Sequence, residues 1–516
     1  MKYKSCRKPM VMSLFFLLST LPMLVNAQSN GGKKFIFKPK TEVTQGSVTV
    51  EGHKIDYKAT AGNIYLTNNE GDTTARMFFV AYDKVNKPKG SNRPVTFFWN
   101  GGPGSASVWI HMGAFGPRRV KINDHSHTPA APYQLLNNNY SLLDATDEVF
   151  VDAVGTGFSR IINKKKGGAG RPDEFYGVDP DAQSFAQFIR KYITKYNRWN
   201  SPKYIFGESY GTTRAALLSK DLEMGQDIDL NGVVLLSSIL DFHTASFNAG
   251  NDLPYELFLP SMTAVAWYHH KLPNQPAKLV PLLDQVKHFA LNQYANALAQ
   301  GNNLSTAERS DIASKLHQYT GLPESYIKKA DLRVTGAEFG KELLADSNET
   351  TGRLDARFTG PTMDPLSETR EYDPHSAAFS SAYISLFNNY VHNVLKYGRK
   401  MHYRPFGGGS WKWKHPVRTH GQAWPGSPNV AVDLTEAIKY NPHLKVLFNS
   451  GYFDLGTPFF ATDYTVDHMN LPKKLQGNIQ REYYRSGHMV YQHVPSLKRL
   501  HDNVAAFINK TDNLKK

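Results

Sequence analysis

The sequence YIFGESYGTT, residues 204–213, runs from β-prone residues into Gly-Glu-Ser-Tyr-Gly and then into RAALLSKDLEM, which has a helix-forming composition. Two glycines, Gly207 and Gly211, flank Ser209, and residues 204–206 predict a buried strand in front of it. This pattern at a strand-to-helix turn is typical of a nucleophilic serine, because only small flanking residues tolerate the strained bend. The pattern also occurs at ordinary flexible turns, so the rest of the chain has to decide between the two interpretations.

From residue 94 onward, short and continuous apolar segments are separated by longer segments that are not continuously apolar. The apolar segments are VTFFW, EVFVDA, KYIFG, GVVLLSS and, much later, KVLFNSG and REYYRSG. Segments with a helical pattern, such as DAQSFAQFIRKYITKY (181–196), lie between them. Buried strands interleaved with helices predict an α/β fold whose parallel sheet is covered on both faces.

The same patterns predict how the chain is divided. Residues 28–93 alternate apolar and polar residues between turn signals, which predicts an N-terminal antiparallel β-meander packed on the core. Residues 94–240 and 441–516 hold the apolar strands and predict the two parts of the α/β core. Residues 241–440 have a largely helical pattern and are too many for a crossover connection, so we expect a helical insertion that caps the catalytic edge.

Residues 1–27 have a basic start, an apolar run and a small-residue end at Val25-Asn26-Ala27, which predicts a cleaved secretory signal. An uncleaved membrane anchor is the alternative, but the run is interrupted and shorter than the roughly 20 residues of a membrane span. We therefore expect a periplasmic or secreted protein without stable membrane insertion after cleavage. The only cysteine, Cys6, would leave with the signal, and an exported chain without disulfides favours a bacterial source.

Composition excludes one class of partner. The chain has 516 residues, is 41% hydrophobic and carries a formal net charge of +15, which fits a globular protein with a basic surface. The basic residues are dispersed, and neither zinc-ligand nor helix-turn-helix spacing occurs, so we expect no nucleic-acid partner.

A glycine-rich segment, NGGPGSAS (100–107), directly follows the predicted strand VTFFW. Gly101 and Gly102 would allow the backbone to approach closely and expose an N–H group. A phosphate loop is the alternative, but it would end in Gly-Lys-Ser or Gly-Lys-Thr, which this segment lacks. The segment therefore favours an anion-stabilising turn.

Two further polar residues follow predicted strands. Asp454 comes three residues after the glycine of KVLFNSG, and His488 comes directly after REYYRSG. Each alone would more often be structural, as a turn former or a buried histidine. The chain order Ser209, Asp454, His488, each after a buried strand, is however the order of the α/β-hydrolase catalytic triad.

These features together resemble the serine carboxypeptidase family. The resemblance is carried by FFWNGGPGSAS, EVFVDAVGTGFSR, FGESYG and SGHMVY, with NSGYFDLGTP as a looser fifth block. It implies an α/β-hydrolase fold and a hydrolase that removes C-terminal residues from peptides. By position, the resemblance makes Ser209 the nucleophile, His488 the base and Asp454 its orienting acid.

The resemblance also implies the residues around the triad. The backbone N–H groups of Gly102 and Tyr210 would form the oxyanion hole. Asn100, with Gly101 beside it, and Glu208 would bind the free carboxylate of a peptide substrate.

The chain departs from the family pattern at two positions. Ser105 stands where the family has a cysteine. Ala114 stands where the family has a glutamate that shares a proton with the residue corresponding to Glu208. Without that carboxyl neighbour, only burial would raise the pKa of Glu208. Three arginines near these motifs are candidates for a replacement cation or are ordinary packing residues: Arg118, Arg119 and Arg214.

The expected mechanism is acyl transfer to serine followed by hydrolysis, which requires neither a metal nor an organic cofactor. An esterase or an acyltransferase would use the same triad on a different acyl group. From another class, an inactive peptide-binding protein would keep the fold but lose at least one triad position. The sequence retains all three positions.

Overall fold

The structure, a computed structural model, describes residues 37–86, 92–416 and 426–514. The predicted signal, residues 1–27, lies outside the described residues. The described strands are β1 (Thr41–Val50), β2 (His53–Thr67), β3 (Thr73–Lys84), β4 (Val95–Trp99), β5 (Arg118–Val120), β6 (Leu135–Asn137), β7 (Asp147–Val151), β8 (Arg160–Ile161), β9 (Lys203–Glu208), β10 (Gly232–Leu236), β11 (Glu349–Thr351), β12 (Thr359–Pro361), β13 (Lys445–Gly451) and β14 (Ile479–Tyr484).

Within the described ranges, ten strands form one mixed sheet in the order β1-β2-β3-β7-β4-β9-β10-β13-β14, with β8 paired to β3. The neighbours from β7 to β14 in this order all run parallel. Every residue of β4, β7, β9 and β10 is buried, because helices cover both faces of the sheet. The predicted α/β fold class is confirmed.

The strands β1, β2 and β3 pair antiparallel with one another, and β3 pairs antiparallel with β7. They therefore extend the central sheet at one edge. The long strand β2 is exposed at its start and buried from its middle onward, where it crosses over the core.

Helices supply the layers on either side. The described α-helices are α1 (Val108–Ile110), α2 (Val178–Lys195), α3 (Tyr210–Lys220), α4 (Leu253–Tyr268), α5 (Leu279–Phe289), α6 (Ala295–Gln300), α7 (Thr306–Thr320), α8 (Glu324–Lys329), α9 (Gly336–Glu342), α10 (Pro374–Asn389), α11 (Ala431–Tyr440), α12 (Phe459–Asp467), α13 (Lys473–Gln476) and α14 (Val494–Thr511). Single π-helical turns continue four of them: His111–Phe115, Asp221–Gly225, Ala290–Tyr294 and Tyr390–Val394.

Alternation along the strands divides the core between the two faces. Phe97 and Ile205 face a cluster with α2, α3 and α11, whereas their neighbours Phe98 and Phe206 face a cluster with α10 and α14. The helix α2 fits this role because its buried residues recur at helical spacing, as Ala182, Phe185, Ala186, Ile189, Tyr192 and Ile193.

Helices α4 to α10 lie between β10 and β13 in the chain, and α4 to α9 pack around an apolar cluster of their own. That cluster also includes Phe453 and Phe459, which follow β13. Helix α11 belongs by sequence to the segment 241–440, but its apolar residues pack into the sheet core beside α3. Within the part of the chain that the structure describes, no helix has the length and apolar character needed to span a bilayer.

Candidate active site

Ser209 forms the single-residue turn between β9 and α3, with φ 60° and ψ −132°. A positive φ strains a non-glycine residue, and such strain persists mainly where the surrounding structure enforces it, often at functional sites. Gly207 makes the bend possible, because a Cβ built on it would lie 2.1 Å from the Gly211 carbonyl oxygen. The local geometry is that of a nucleophile elbow, with Ser209 partly exposed at its tip.

Asp454 and His488 form a buried hydrogen-bonded pair. His488 Nδ1 lies 2.7 Å from Asp454 Oδ2, and the residues are 3% and 0% exposed, respectively. Burial disfavours the charged imidazole, but the adjacent Asp454 carboxylate outweighs burial and raises the pKa of His488 above its usual 6.5. A carboxylate on Nδ1 leaves Nε2 as the nitrogen that can exchange a proton with a substrate or a nucleophile.

The loop after β13 fixes the Asp454 carboxylate. Its Oδ1 accepts hydrogen bonds from the backbone N–H groups of Gly456 at 2.7 Å and Thr457 at 3.0 Å. Its Oδ2 accepts a third from the Thr457 hydroxyl at 2.8 Å. These bonds hold the carboxylate in the orientation that meets His488.

The serine and the histidine reach the same edge of the sheet through strand β10. Ser209 N donates to Leu236 O at 3.0 Å, and the Ser237 hydroxyl donates to His488 O at 2.7 Å. Among the described residues, no hydrogen bond joins the Ser209 hydroxyl to His488. Such catalytic hydrogen bonds often tighten only when a substrate binds.

The glycine-rich turn after β4 packs directly against the elbow. A Cβ built on Gly101 would lie 2.4 Å from Tyr210 N and 2.5 Å from Gly211 N, so only glycine permits this contact. In the described ranges, the backbone N–H groups of Gly102 and Tyr210 have no hydrogen-bond acceptor. Unpaired N–H groups beside a serine are the components of an oxyanion hole.

Two further contacts hold this turn in place. Asp152, which directly follows β7, accepts a hydrogen bond from Ser107 N at 2.8 Å, and burial raises the pKa of Asp152 to about 7. Ser105, at the position where a cysteine was expected from the resemblance, accepts a hydrogen bond from Trp109 Nε1 at 2.8 Å. The turn is therefore anchored by hydrogen bonds rather than by a disulfide.

The predicted recognition residues Asn100, Gly101 and Glu208 lie together beside the elbow. Glu208 is 3% exposed, and burial raises its pKa to about 7, although the charge on His488 and the adjoining Tyr491 and Asn100 lower it. Within the described residues Glu208 Oε2 has no hydrogen-bond partner. Burial raises the pKa of Glu208 even though Ala114 offers no second carboxyl.

The arginines near the motifs have different surroundings. Arg214 is fully buried; its Nε donates to Asp181 Oδ2 at 2.6 Å and its Nη1 to Asn100 O at 3.0 Å. Its Nη2 has no partner within the described residues, but the side chain has no exposed surface, which favours a packing role. Arg118 lies beside Tyr57, whereas Arg119 lies near Tyr383, with its pKa lowered by burial.

The helical insertion also contacts the histidine loop. Asp355 Oδ2 accepts a hydrogen bond from Gly487 N at 3.1 Å, and Leu354 O accepts one from His488 N at 2.6 Å. Arg357 Nη2 neutralises Asp355 at 2.7 Å, with both residues buried. The backbone on both sides of the Gly487–His488 peptide is thus held by the insertion.

Aromatic rings flank the elbow on the Tyr210 side. The Tyr210 ring lies 5.4 Å from that of Trp411 and 5.9 Å from that of Trp413, measured between centroids. Phe242 extends the row, 5.0 Å from Trp413. Trp411 and Trp413 of this aromatic row come from a segment shortly before α11, and Trp413 is 44% exposed.

Sequence reasoning did not identify Thr457, Asp355 or Tyr491 as site residues. Thr457 lies in the quoted loop NSGYFDLGTP, where its spacing of three from Asp454 is a usable signal for a hydrogen bond within a turn. No local pattern marks the other two residues, because their partners are distant in the chain.

One group of described residues has the composition of a metal site. Glu51, His501 and Asp502 offer ligand atoms within 4.8 Å of one another. Two of the three residues are exposed, and His501 also lies 3.2 Å from Asp144. Exposed acidic groups are commonly found in such an arrangement without an ion, and the group is no part of the site at the elbow.

A parallel α/β sheet that carries a serine elbow and a buried aspartate–histidine pair defines a serine hydrolase of the α/β-hydrolase fold. Residues 51–514 match the family described as serine carboxypeptidase. Since the match spans most of the chain, the chain belongs to the serine carboxypeptidase family, and it is a carboxypeptidase-like hydrolase. The resemblance inferred from the sequence motifs is confirmed.

Solved structures with a similar fold include Kex1(delta)p, a prohormone-processing carboxypeptidase from Saccharomyces cerevisiae. It is 15% identical with a TM-score of 0.50, over 88% of this chain and 92% of that chain. A proline iminopeptidase from Mycobacterium smegmatis is 12% identical with a TM-score of 0.33, over 92% of this chain and 100% of that chain. The first similarity supports the fold. No curated protein matches the sequence.

Proposed function

We propose that the enzyme removes C-terminal residues from peptides through an acyl-enzyme intermediate. Ser209 Oγ attacks the carbonyl carbon of the last peptide bond, while His488 Nε2 takes the hydroxyl proton and then gives it to the leaving amine. Asp454 holds the imidazole tautomer and stabilises its charged form. Water then releases the acyl group with the same histidine as base. The observation that carries this proposal is the buried 2.7 Å aspartate–histidine pair at the sheet edge that holds the strained serine.

The oxyanion of the tetrahedral intermediate would be met by the N–H groups of Gly102 and Tyr210. Their support is that both are unpaired in the described ranges and that the glycine-rich turn packs against Tyr210 N through Gly101. Each such donor contributes on the order of 3 kcal/mol to transition-state stabilisation in comparable sites.

The free carboxylate of the substrate would be bound by Asn100, the backbone of Gly101 and Glu208. Support comes from two polar atoms that are buried without a partner in the described part of the chain, Asn100 Nδ2 and Glu208 Oε2. A buried polar atom without a hydrogen bond costs about 1–3 kcal/mol, which a bound ligand that supplies the partner would recover.

The serine assignment is tested with Ser209→Ala. We expect hydrolysis to fall by at least about a thousandfold and labelling by a serine-directed phosphonate to be lost, with the fold retained. Ser347→Ala, at an exposed position of the insertion, is the control that keeps both. Retained turnover or labelling in Ser209→Ala would refute the assignment.

The exopeptidase assignment is tested with one blocked dipeptide offered as a free acid and as an amide. We expect a higher kcat/KM for the acid near neutral pH, because only the acid fills the Asn100–Glu208 site. Equal kcat/KM for acid and amide between about pH 4 and pH 8 would remove the exopeptidase proposal and leave the triad chemistry intact.

An esterase or acyltransferase with the same triad is the second candidate. The observation in its favour is Ala114, which leaves Glu208 without a carboxyl partner. It predicts that simple esters react at least as well as peptide acids in the same comparison.

We also propose that residues 1–27 direct export to the periplasm or exterior and are then removed. The support is the arrangement of charged, apolar and small residues in this segment. Mass analysis of the exported protein should place its first residue at Gln28, and a membrane fraction that begins at Met1 would contradict the proposal. The division into a meander 28–93, core parts 94–240 and 441–516 and a cap 241–440 stays a proposal of the same kind.

A further inference from the structure

Tyr491 lies three residues after His488, in a 3₁₀ helix of one turn, Val490–Gln492. It is 1% exposed, and within the described residues its hydroxyl has no hydrogen-bond partner. Buried tyrosine hydroxyls usually have a partner, since an unpaired one costs free energy. The hydroxyl of Tyr491 is therefore a donor that a bound group could use.

Two other unpaired polar atoms lie beside this hydroxyl. Tyr491 and Asn100 both adjoin the Glu208 carboxyl. Two hydrogen bonds fix the position of Asn100. Its Oδ1 accepts one from Ile110 N at 3.0 Å, and its backbone oxygen accepts one from Arg214. In the part of the chain that the structure describes, Asn100 Nδ2, the Tyr491 hydroxyl and Glu208 Oε2 each have no hydrogen-bond partner, although the three groups adjoin one another.

The ring of Tyr491 reaches this position because of Gly113. A Cβ built on Gly113 would lie 2.7 Å from Tyr491 Cε2, so any larger residue would displace the ring. The neighbouring Ala114 carries no polar side-chain atom and is fully buried. The phenol of Tyr491 is thus a hydrogen-bonding group beside Glu208 on the side of the short helical turn His111–Phe115.

We propose that Tyr491 is a specificity-determining residue whose hydroxyl donates a hydrogen bond to the free C-terminal carboxylate of the peptide, together with Asn100 and Glu208. This inference rests on the proposed exopeptidase function. The carboxylate offers several lone-pair sites, which is enough acceptor capacity for three converging donors. Bonds to a charged acceptor are also stronger than those between neutral groups.

The donors differ in how they respond to pH. Burial raises the pKa of Tyr491 well above 10, so its phenol remains protonated throughout the working range. Glu208 can donate only while it is protonated, below its pKa of about 7. The titratable groups that face Glu208 are His488, Asp454, Tyr491 and Tyr383. Tyr491 and Asn100 therefore retain part of the carboxylate recognition after Glu208 ionises.

The test compares kcat/KM for one blocked dipeptide as acid and as amide in Tyr491→Phe. We expect the value for the acid to fall about tenfold to hundredfold, as for the loss of one hydrogen bond to a charged group, and the value for the amide to stay within about twofold. The substitution removes no hydrogen bond in the described part of the chain, so the fold should be retained. Tyr196→Phe, which removes another buried unpaired hydroxyl at the end of α2, is the matched control and should change neither value.

A binding measurement separates this inference from the function on which it rests. Calorimetry with the blocked dipeptide acid on Ser209→Ala should give a dissociation constant that rises about tenfold or more when Tyr491→Phe is added. If the parent enzyme prefers the acid and Tyr491→Phe leaves that preference unchanged, the role of Tyr491 is overturned and the exopeptidase function is retained. A parent enzyme that neither prefers nor binds the acid would overturn both, while Ser209-dependent amide turnover would still establish the hydrolase.

Discussion

Arg214 lies on α3, five residues after Ser209, and is fully buried. Its guanidinium pairs with the buried Asp181 carboxylate and lies over the Phe185 ring at 4.3 Å. We expect Arg214→Met to destabilise the fold by about 3–5 kcal/mol, because Asp181 would be left as an uncompensated buried charge. Urea denaturation measures this loss, and adding Asp181→Leu should recover part of it.

A suitable control for this prediction is Arg171→Met, since Arg171 pairs with Asp173 and Glu174 at an exposed position. We expect it to leave the urea midpoint unchanged. A stable Arg214→Met variant whose KM for peptide acids rises would show instead that the guanidinium reaches the substrate.

The positions of individual residues could be predicted only where a local pattern marks them. Ser209, Asp454 and His488 each follow a strand that is visible as an apolar run, and the structure brings the last two into contact. Their catalytic roles stay predictions. Tyr491 and Asp355 carry no such mark, because their partners Glu208 and Gly487 lie far away in the sequence and meet them only in the folded chain.

At the scale of elements, the segment between β11 and β12 links the insertion to the loop that carries His488. Asp355 binds Gly487 N and is itself neutralised by Arg357, whose other side meets Asp124 at 3.1 Å. We expect Asp355→Asn to lower kcat about tenfold to hundredfold with little change in KM, because a neutral amide no longer pairs with Arg357 and holds Gly487 N less firmly, while the substrate contacts remain. Kinetics on a peptide amide and on an ester measure this split.

The control for Asp355→Asn is Asp346→Asn, which removes an exposed carboxylate of the same insertion that pairs with Lys271. It should leave kcat and KM unchanged. An Asp355→Asn variant that changes only thermal stability, with the pH dependence of kcat intact, would show that the contact of Asp355 with Gly487 is structural and does not position His488.

The segment that carries Trp411 and Trp413, beside Tyr210, is anchored by ion pairs of His415. His415 Nδ1 lies 2.6 Å from Asp179 and its Nε2 lies 2.9 Å from Asp433, a residue that Lys220 also contacts. Burial opposes the charged form, but the two carboxylates raise the pKa of His415 to about 9. Because this pKa lies above the unfolded value of about 6.5, the anchor contributes fully below pH 6.5 and is lost as the pH rises through about 9.

We therefore expect the fluorescence of Trp411 and Trp413 to shift to longer wavelength between about pH 8 and pH 10, as the segment loosens. His415→Gln should show the shifted spectrum already at neutral pH and lose the pH dependence. KM for peptides with a bulky apolar residue before the scissile bond should rise several-fold in parallel, since Tyr210 faces this row. A wild-type spectrum that does not change over this pH range would contradict the anchor.

For the whole molecule, the sequence patterns predicted the parallel core, whereas the division of the chain into core and insertion stays a prediction. The six predicted strands correspond to β4, β7, β9, β10, β13 and β14. The central strands β4, β7, β9 and β10 are buried at every residue, as expected for parallel strands covered on both faces, whereas β14 at the sheet edge is mostly half-buried. Helix α11 has an amphipathic pattern like the helices of the insertion, and nothing local distinguishes them. Contacts with residues far away in the sequence determine which apolar surface α11 covers. These contacts place α11 against the sheet core.

The complete fold brings two opposing titrations to one site, which predicts different pH profiles for two substrates. His488 must be neutral to act as a base, so kcat/KM for every substrate rises with pH through its pKa, which lies above 6.5. Glu208 must be protonated to donate to a substrate carboxylate, so kcat/KM for peptide acids falls as the pH rises through about 7. We expect a narrow bell for the peptide acid and a rise to a plateau for the peptide amide. Glu208→Gln, which stays neutral at every pH, should remove the alkaline limb for the acid and leave the amide profile unchanged; if the limb persists in this variant, it belongs to another group.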